Sequence, residues 1–242
     1  MKKKIIGCIC FCFIVCLLFI PNEPSIPILG YHDIVCDETK IDSRYTLSLS
    51  DFEEQMKYLY EHDFHTLSLD ELYDFYRGTL EIDEKSIVLT FDDGYESFIS
   101  LVKPVLEKYG FNATCFVIGK HALDEKEKYI KENQLINDET VSFYSHSFDL
   151  HRKDGKNKVI ETMTKNEIEQ DFDTGIVDYT YFAFPYGVSS EKAREVIINR
   201  KVKMAFSYNQ FHNCSRKDDI YYIPRYAIVN FMPMIYFKWI VD

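Results

Sequence analysis

An apolar run that ends in two adjacent carboxylates constrains this chain more than any other feature. Residues 86–89 are apolar and partly β-branched, which predicts a short buried strand. Asp92-Asp93-Gly94 follows, and the glycine permits a sharp turn. Neighbouring carboxylates repel each other in a closed site, so they persist there only if something divides their roles. A metal does this when one aspartate binds it and the other stays free as a base; the alternative is a plain strand-end turn, where Asp-Gly is common.

Two histidines follow a second strand-like run. Residues 140–144 predict a strand, and His146 and His151 come after it. Two histidines with one carboxylate are a common catalytic metal set that leaves positions open for water and substrate. The sequence therefore predicts a metal site that combines both histidines with the Asp-Asp pair. Four further histidines are not accompanied by other candidate metal ligands and are predicted to be surface or packing residues: His62, His65, His121 and His212.

A third apolar run, residues 181–184, ends in Pro185-Tyr186-Gly187. Proline fixes its own φ and glycine gives the chain freedom, so a turn is predicted here. Such a turn can aim a backbone N–H into a site, which is what an oxyanion needs. An ordinary strand-to-loop turn has the same sequence pattern and stays open as an alternative.

Helix and strand signals alternate along the rest of the chain. Ser50 and Ser68 each begin a capping box, Gly78 and Gly110 are predicted helix ends, and Pro104 is predicted to kink or restart a helix over residues 95–109. Further strands are predicted at 113–118 and 204–207, a helix capped by Ser190 at 191–201, and a polar loop at 152–157. Alternating strands and helices imply parallel strands with crossover helices, an α/β fold. Polar residues at strand ends make it similar to a barrel.

Composition indicates one globular domain preceded by an apolar segment. The 242 residues are 46% hydrophobic and 16% aromatic, enough for a single core, which we assign to residues 25–242. The net charge of −11 argues against nucleic acid or an anionic membrane surface as a partner. We expect a monomer.

Residues 1–24 carry the signature of an export signal. Three lysines precede an apolar run at 5–20, and no small-x-small cleavage site follows it. We therefore expect an uncleaved signal anchor that holds the catalytic domain outside the cell membrane, with a cleaved signal peptide and a secreted enzyme as the alternative. Only three cysteines lie beyond this run, which is neither a disulfide framework nor a thiolate zinc site: Cys36, Cys115 and Cys214.

The three segments together resemble the polysaccharide deacetylases, the family 4 carbohydrate esterases with the NodB homology domain. The stretch Thr90-Phe91-Asp92-Asp93-Gly94 matches the first family motif residue for residue. His146 with His151 matches the second motif with one extra residue between the histidines, and Pro185-Tyr186-Gly187 matches the third. The longer histidine spacing is similar to the PgaB and IcaB subgroup, which deacetylates poly-β-1,6-N-acetylglucosamine. The resemblance extends from about Pro27 to the C-terminus.

Two departures from the wider family concern catalytic positions. The arginine that begins the third motif, where it holds the catalytic aspartate, is Ala183 here, and the C-terminal Leu-x-His that supplies the general acid is missing. The segment around Tyr31-His32 resembles the N-terminal segment that supplies the acid in the PgaB and IcaB subgroup, which implies that His32 is the acid. Arg225 is a candidate for the missing arginine, with a surface salt bridge as the alternative.

The resemblance implies a distorted, incomplete (β/α) barrel that performs metal-assisted amide hydrolysis. Asp93, His146 and His151 would bind a divalent metal, zinc first, with nickel, cobalt or iron as alternatives. Asp92 would be the general base and His32 the general acid.

Further roles follow from the same resemblance. The backbone N–H of Tyr186 would stabilise the oxyanion, and Asp149 would either orient a metal-binding histidine or be an ordinary loop acid. The implied substrate is poly-β-1,6-N-acetylglucosamine, with chitin-like or peptidoglycan N-acetylglucosamine as the alternative. Two other classes remain open, a non-haem iron oxygenase and a catalytically silent glycan-binding module.

Overall fold

The computed structural model describes residues 24–124 and 126–242. The predicted signal anchor at 1–24 therefore lies outside the described residues, apart from its last position. Within the described ranges, the helices are too short or too polar to cross a bilayer.

Eight parallel strands form the main sheet. Their spatial order is β11, β10, β7, β6, β5, β1 and β12, and β4 pairs with the first two residues of β5. Short two-stranded sheets pair β2 with β3 and β8 with β9. The strands are β1 Ile28–Tyr31, β2 Asp33–Val35, β3 Thr46–Ser48, β4 His65–Thr66, β5 Ser86–Phe91, β6 Ala113–Val117, β7 Val141–Ser145, β8 Lys153–Asp154, β9 Asn157–Lys158, β10 Tyr181–Ala183, β11 Met204–Phe206 and β12 Tyr226–Ala227.

The two edges of the main sheet approach each other through the segment that precedes β12. Ala205 and Ser207 donate backbone hydrogen bonds to Ile220 and Ile223, and Ile223 donates one back to Ala205. The sheet thus curves into a distorted barrel, as the strand–helix alternation and the family resemblance predicted.

Helices cover the sheet between successive strands. They are α1 Leu49–Glu61, α2 Leu69–Arg77, α3 Lys103–Tyr109, α4 Gly119–Leu123, α5 Val159–Thr162, α6 Lys165–Thr174, α7 Glu191–Asn199 and α8 Met234–Val241. The predicted caps at Ser68 and Ser190 are confirmed, since each hydroxyl accepts a backbone N–H of its helix. Gly78 and Gly110 end their helices in the left-handed conformation.

Three local predictions need correction. The cap of α1 is Ser48 rather than Ser50, and its hydroxyl accepts the N–H of Asp51. The polar loop predicted at 152–157 contains a short antiparallel hairpin, β8–β9, that continues to residue 158. The helix predicted from residue 95 is a π-helical turn, Phe98–Val102, followed by α3, in which Pro104 occupies the first turn where a missing N–H is tolerated.

Both faces of the central strands are buried, which fixes their register. Val88 and Leu89 are neighbours in β5 yet belong to different buried apolar clusters, because successive side chains of a strand point to opposite faces. With the strands parallel, their carboxyl ends meet at one edge of the barrel. The polar residues that follow β1, β5, β7 and β10 therefore converge there.

Candidate active site

The turns after three strands hold their polar residues in an unusual backbone conformation. Asp93 after β5, Ser147 after β7 and Tyr186 after β10 have φ values of 75°, 74° and 59°. Non-glycine residues rarely adopt positive φ, and such strain collects at functional sites. Gly94, with φ 76°, continues the first turn, and a Cβ there would lie 2.9 Å from a Val117 methyl. The predicted need for glycine is therefore both conformational and steric.

Asp93, His146 and His151 converge at this edge. The Nε2 atoms of both histidines lie 3.6 Å from Asp93 Oδ1, and one ligand atom from each residue lies within 4.8 Å of the others. Two atoms bound to one zinc ion at about 2.1 Å each must lie within about 4.2 Å of one another. The distances from Asp93 to the two histidines meet this condition.

The chemistry of these atoms also fits a metal. His146 donates its Nδ1–H to the carbonyl oxygen of Ala183 at 2.7 Å, which leaves the Nε2 lone pair for a metal. Asp93 Oδ1 is buried and has no hydrogen-bond partner in the described part of the chain. A buried carboxylate oxygen without a partner is costly, and a cation would satisfy it. The residues present therefore fit a divalent metal.

The protonation states agree with such a site. Burial lowers the pKa of His146 to about 3 and also lowers the pKa of His151. Burial, reinforced by the charge of Asp92, raises the pKa of Asp93 to about 6. At pH 7 both imidazoles are neutral and Asp93 is ionised, which is the state in which these groups bind metals.

Asp92 lies beside this triad in a different environment. Arg225 donates two parallel hydrogen bonds, from Nη1 to Oδ1 and from Nη2 to Oδ2, each 2.8 Å long. The hydroxyl of Tyr208 donates a third to Oδ2 at 2.7 Å. Burial alone would raise the pKa of Asp92, but the charge and hydrogen bonds of Arg225, together with the neighbouring His146, outweigh it and hold the pKa well below its usual range. Asp92 is thus an ionised acceptor throughout the neutral range.

Arg225 reaches the site as a buried partner of Asp92. Its side chain is fully buried, so the surface salt bridge considered as an alternative is wrong. Nη1 also donates to Thr90 Oγ1 at 3.0 Å, which ties the guanidinium to the strand that carries Asp92. A planar, bidentate pair of this kind restricts both partners. Arg225, near the C-terminus, thus holds Asp92 in place of the family arginine that is Ala183 here.

Tyr208 was not singled out from the sequence. Its ring fits between two glycines, since a Cβ on Gly30 would lie 2.6 Å from the ring and a Cβ on Gly187 would lie 2.8 Å from it. The guanidinium of Arg225 lies 4.4 Å from the ring centre. Tyr208 follows β11 in a polar stretch without a motif, so the only signal was its place after a predicted strand.

His32 and Tyr186 line the same cavity as the two aspartates. The cavity measures about 510 Å³, a size suited to a sugar unit. His32 stacks on Tyr45 with ring centres 4.7 Å apart, and Tyr186 stacks on His151 at 4.1 Å. The four histidines that were predicted to be surface or packing residues are not among the described residues that line it.

The loop between His146 and His151 is held by a residue outside the cavity. Asp171 of α6 accepts the backbone N–H groups of Phe148 and Asp149 at 2.8 and 2.7 Å. The side chain of Asp149 pairs with Lys120 at 2.8 Å on the surface, so it is an ordinary loop acid and does not orient a histidine. Support for this loop therefore comes from Asp171.

Comparison with known proteins decides the family. The sequence profile of the polysaccharide deacetylases matches residues 80–205, just over half of the chain. The chain belongs to the polysaccharide deacetylase family. The matched span contains the Asp-Asp pair, both histidines and the Tyr186 turn, so the deacetylase resemblance drawn from these motifs is confirmed.

Relatives and solved structures agree with this placement. The poly-β-1,6-N-acetyl-D-glucosamine N-deacetylase of Staphylococcus aureus is 29% identical over 204 residues, which cover 76% of this chain and 68% of that protein. The Streptococcus pyogenes deacetylase PplD, solved with acetate, superposes with a TM-score of 0.79 at 19% identity and covers 91% of this chain and 100% of its own. IcaB from Ammonifex degensii superposes with a TM-score of 0.75 at 21% sequence identity. The superposition covers 91% of this chain and 98% of the IcaB chain. At these identities, the two structures establish the barrel fold.

Membership in the family makes this deacetylase an enzyme. Polysaccharide deacetylases hydrolyse N-acetyl groups, and the two aspartates of the first family motif and the two histidines of the second are intact here. The non-haem iron oxygenase and the catalytically silent module are therefore excluded. The family is also metal-dependent, in agreement with the Asp93, His146 and His151 cluster.

Proposed function

We propose that this deacetylase removes N-acetyl groups from a poly-β-1,6-N-acetylglucosamine at the cell surface, using one divalent metal ion. The observation that carries the proposal is that Asp92 and Asp93 lie in different environments. Asp92 accepts three hydrogen bonds from Arg225 and Tyr208, whereas Asp93 presents an unpartnered oxygen to two neutral histidines. Adjacent carboxylates in such different environments suit the different roles of base and metal ligand.

Asp93, His146 and His151 would hold the metal, with zinc as our first choice and nickel, cobalt or iron as alternatives. When bound, a metal with open coordination positions supplies Lewis acidity that acidifies water and polarises a carbonyl. The cavity beside the three ligands leaves room for the acetamide of a sugar.

Asp92 would take the proton of the attacking water. Arg225 and Tyr208 fix the orientation of its carboxylate, and the remaining lone pairs can accept a proton from water. The new C–O bond forms at the acetyl carbon, and the oxygen of the acetyl group becomes negatively charged. The backbone N–H of Tyr186, in the strained turn after β10, is our candidate donor to that oxygen.

His32 would give a proton to the departing amine. The C–N bond breaks as the amine nitrogen gains this proton, so that acetate and a sugar amine are released. His32 lines the cavity together with Asp92 and Asp93, and its stacking on Tyr45 holds its ring in place.

Sequence likeness supports the choice of glycan. The relative from Staphylococcus aureus carries poly-β-1,6-N-acetyl-D-glucosamine in its name, and the spacing of His146 and His151 is that of the PgaB and IcaB subgroup. Chitin-like or peptidoglycan N-acetylglucosamine is the second candidate. The apolar run at 5–20 supports a membrane-anchored enzyme with its catalytic domain outside, or a secreted one if the segment is cleaved.

Acetate release from a panel of glycans tests the proposal. Protein lacking residues 1–24 would be given β-1,6-linked and β-1,4-linked N-acetylglucosamine oligomers of equal length and intact peptidoglycan. We expect the highest kcat/KM on the β-1,6 oligomer. A preference for the β-1,4 oligomer or peptidoglycan would overturn the choice of glycan while leaving the deacetylase family intact.

The same assay tests the assigned residues. Asp92→Asn and His32→Ala should each lower turnover by about 10²–10⁴-fold, the usual contribution of a general base or acid, without loss of bound metal. His62→Ala, on the surface away from the cavity, is the matched control. Loss of metal from Asp92→Asn but not from Asp93→Asn would reverse the roles of the two aspartates.

A further inference from the structure

The hairpin β8–β9 places two lysines beside the catalytic cavity. It begins two residues after His151, and Lys153 pairs directly with Lys158 across its strands. Its base is closed by a backbone hydrogen bond from Val159 to Arg152 at 3.0 Å, and Val159 is buried in the core. The hairpin is therefore fixed at both ends, by a metal-binding residue and by a core residue.

Both ammonium groups point to the same side of this hairpin. The Nζ atoms of Lys153 and Lys158 lie 5.5 and 5.6 Å from the centre of the Tyr186 ring, and both lysines line the cavity. In the described part of the chain, neither has a carboxylate within ion-pair distance. The carboxylate of Asp154, which neighbours Lys153 in β8, belongs to the opposite strand face.

Two like charges directly opposite each other destabilise an antiparallel pair. The arrangement is unusual in a chain with a net charge of −11. Two of the cavity's carboxylates cannot offset it, because Asp92 is neutralised by Arg225 and Asp93 belongs to the metal cluster. A third, Asp33, accepts a hydrogen bond from Ser97 at 2.8 Å. This hydrogen bond does not remove the charge of Asp33, but Asp33 forms no ion pair with either lysine. The wall formed by Lys153, Lys158 and Tyr186 therefore presents two ammonium groups without a carboxylate partner among the described residues to whatever occupies the cavity.

The reaction itself changes the charge of the glycan. An N-acetylated sugar is neutral, whereas a deacetylated one has a free amine that, like an α-amino group, is mostly protonated below about pH 7.7. The two lysines of this wall therefore repel a neighbouring sugar that has been deacetylated and do not repel one that is still acetylated.

We propose that Lys153 and Lys158 are specificity-determining residues that disfavour substrates in which the sugar beside the reacting one is already deacetylated. The enzyme then removes acetyl groups from separated sugars rather than from adjacent ones, and the product is a partially deacetylated polymer. This inference rests on the proposed function, since it takes an N-acetylglucosamine polymer as substrate.

Three β-1,6-linked trimers test the inference at pH 6.5. Each has N-acetylglucosamine at the centre, flanked on both sides by N-acetylglucosamine, by glucosamine or by glucose. Glucose lacks both the acetyl group and the charge, so it separates repulsion from lost acetyl contacts. Deacetylation of the central sugar would be followed by mass spectrometry.

For the unaltered enzyme, we expect kcat/KM to be roughly five- to tenfold lower with glucosamine flanks than with glucose flanks, the size expected for two exposed charges. The difference should shrink in high salt. Lys153→Gln with Lys158→Gln should bring the ratio close to one. Lys156→Gln, at the tip of the same hairpin and outside the cavity lining, should keep the ratio of the unaltered enzyme.

A ratio near one in the unaltered enzyme, or the same ratio in the double variant, would overturn the inference. Failure to release acetate from any trimer would instead count against the proposed function. In that case the charge discrimination is read from the affinities of the three trimers for the protein. The double variant should then bind the glucosamine-flanked and glucose-flanked trimers equally, and a persistent difference would overturn the inference.

Discussion

Asp92 and Asp93 are adjacent in the sequence but differ in their hydrogen-bond partners and in the direction of their pKa shifts. Arg225 and Tyr208 donate hydrogen bonds to the first carboxylate, and the charge of Arg225 helps to hold its pKa low, while burial raises the pKa of the second to about 6. Asp93 has a positive φ, and its Oδ1 lies 3.6 Å from the Nε2 atoms of both histidines. At the scale of single residues, the chemistry thus depends on partners that come from three distant strands.

Tyr208 offers a test at this scale. Tyr208→Phe keeps the ring between Gly30 and Gly187 but removes the hydroxyl that donates to Asp92. We expect kcat to fall by about tenfold, less than the ~10²-fold that a 1 Å misplacement can cost, because Arg225 still holds the carboxylate. KM and metal content should stay unchanged, which steady-state kinetics and metal analysis would show.

Tyr31→Phe is the matched control for this substitution. The Tyr31 hydroxyl is buried and donates to Gln55 at 2.8 Å rather than to an aspartate. Its loss should lower stability without a comparable fall in kcat. Equal effects of the two substitutions on kcat would mean that Tyr208 has a purely structural role.

The residues that could be recognised from the sequence are those whose signal is local. The Asp-Asp-Gly turn and the two histidines each follow an apolar run, and the structure brings both segments together. Tyr208 lies 116 residues from Asp92 and Arg225 lies 133 residues away. Contacts over such separations depend on how the barrel closes. Arg225 became a candidate only because the family arginine is replaced by Ala183, and Tyr208 had no such signal.

The histidine loop shows how a helix can support a site it does not enter. The N-cap and register of α6 place Asp171 beneath residues 147–150, where its carboxylate accepts two successive backbone N–H groups. Ser147 Oγ accepts a third N–H, from Leu150, at 3.1 Å. These bonds fix the longer connection between His146 and His151.

We predict that Asp171→Asn weakens metal binding. An amide can accept only one of the two N–H groups and turns an N–H donor toward the other, so the loop loses its fixed geometry. The affinity for zinc should fall about tenfold, the lower end of the range for residues that support metal ligands. Competition with a chromophoric chelator would measure it.

Asp173→Asn is the control on the same helix. Asp173 is exposed and pairs with Arg200, so its loss should leave zinc affinity unchanged. If Asp171→Asn bound zinc as tightly as the unaltered protein, the loop would not need this support.

Predictions of helices and strands were most accurate where a signal was both local and strong. Ser68 with Glu71 forms the predicted capping box, and Gly78 ends that helix. At Ser50 the same pattern misled, because Ser48, two residues earlier, has the extended backbone that a cap requires. The hairpin after His151 was missed since its residues are polar and each strand has only two.

Closure of the barrel brings residues at the ends of several strands together in one site. The bonds from β11 to the segment before β12 bring Tyr208 and Arg225 to the edge where β5 and β7 end. The parallel α/β class and the barrel were predictable from alternation and motif placement. The manner of closure was not, because residues 220–227 contain only a two-residue strand.

Zinc should stabilise the folded protein in a pH-dependent way. In the metal-free protein, Asp93 has a pKa of about 6, so its proton must leave before the carboxylate can bind. His146, with its pKa lowered to about 3, does not compete until much lower pH. The rise in Tm caused by zinc should therefore be largest above pH 6 and should be lost as the pH falls through about 6.

The sign follows from linkage. A raised carboxyl pKa means that the folded protein without metal holds the Asp93 proton more tightly than the unfolded chain, so ionisation destabilises the folded protein as the pH rises. Zinc removes this penalty by binding the ionised group. Thermal unfolding with and without zinc at pH 5 and 7.5 measures the difference, and an equal rise in Tm at both values would contradict the assignment of Asp93 as a ligand.

Acetate release during zinc addition tests the proposed reaction most directly. Protein without residues 1–24 would be freed of metal, mixed with a β-1,6-linked N-acetylglucosamine pentamer and supplied with zinc in steps. We predict almost no release without metal, and an initial rate that rises in proportion to zinc and levels off at one equivalent. A full rate in the metal-free protein, or no acetate at one equivalent of zinc or of nickel, cobalt or iron, would contradict a one-metal deacetylase built on Asp93, His146 and His151.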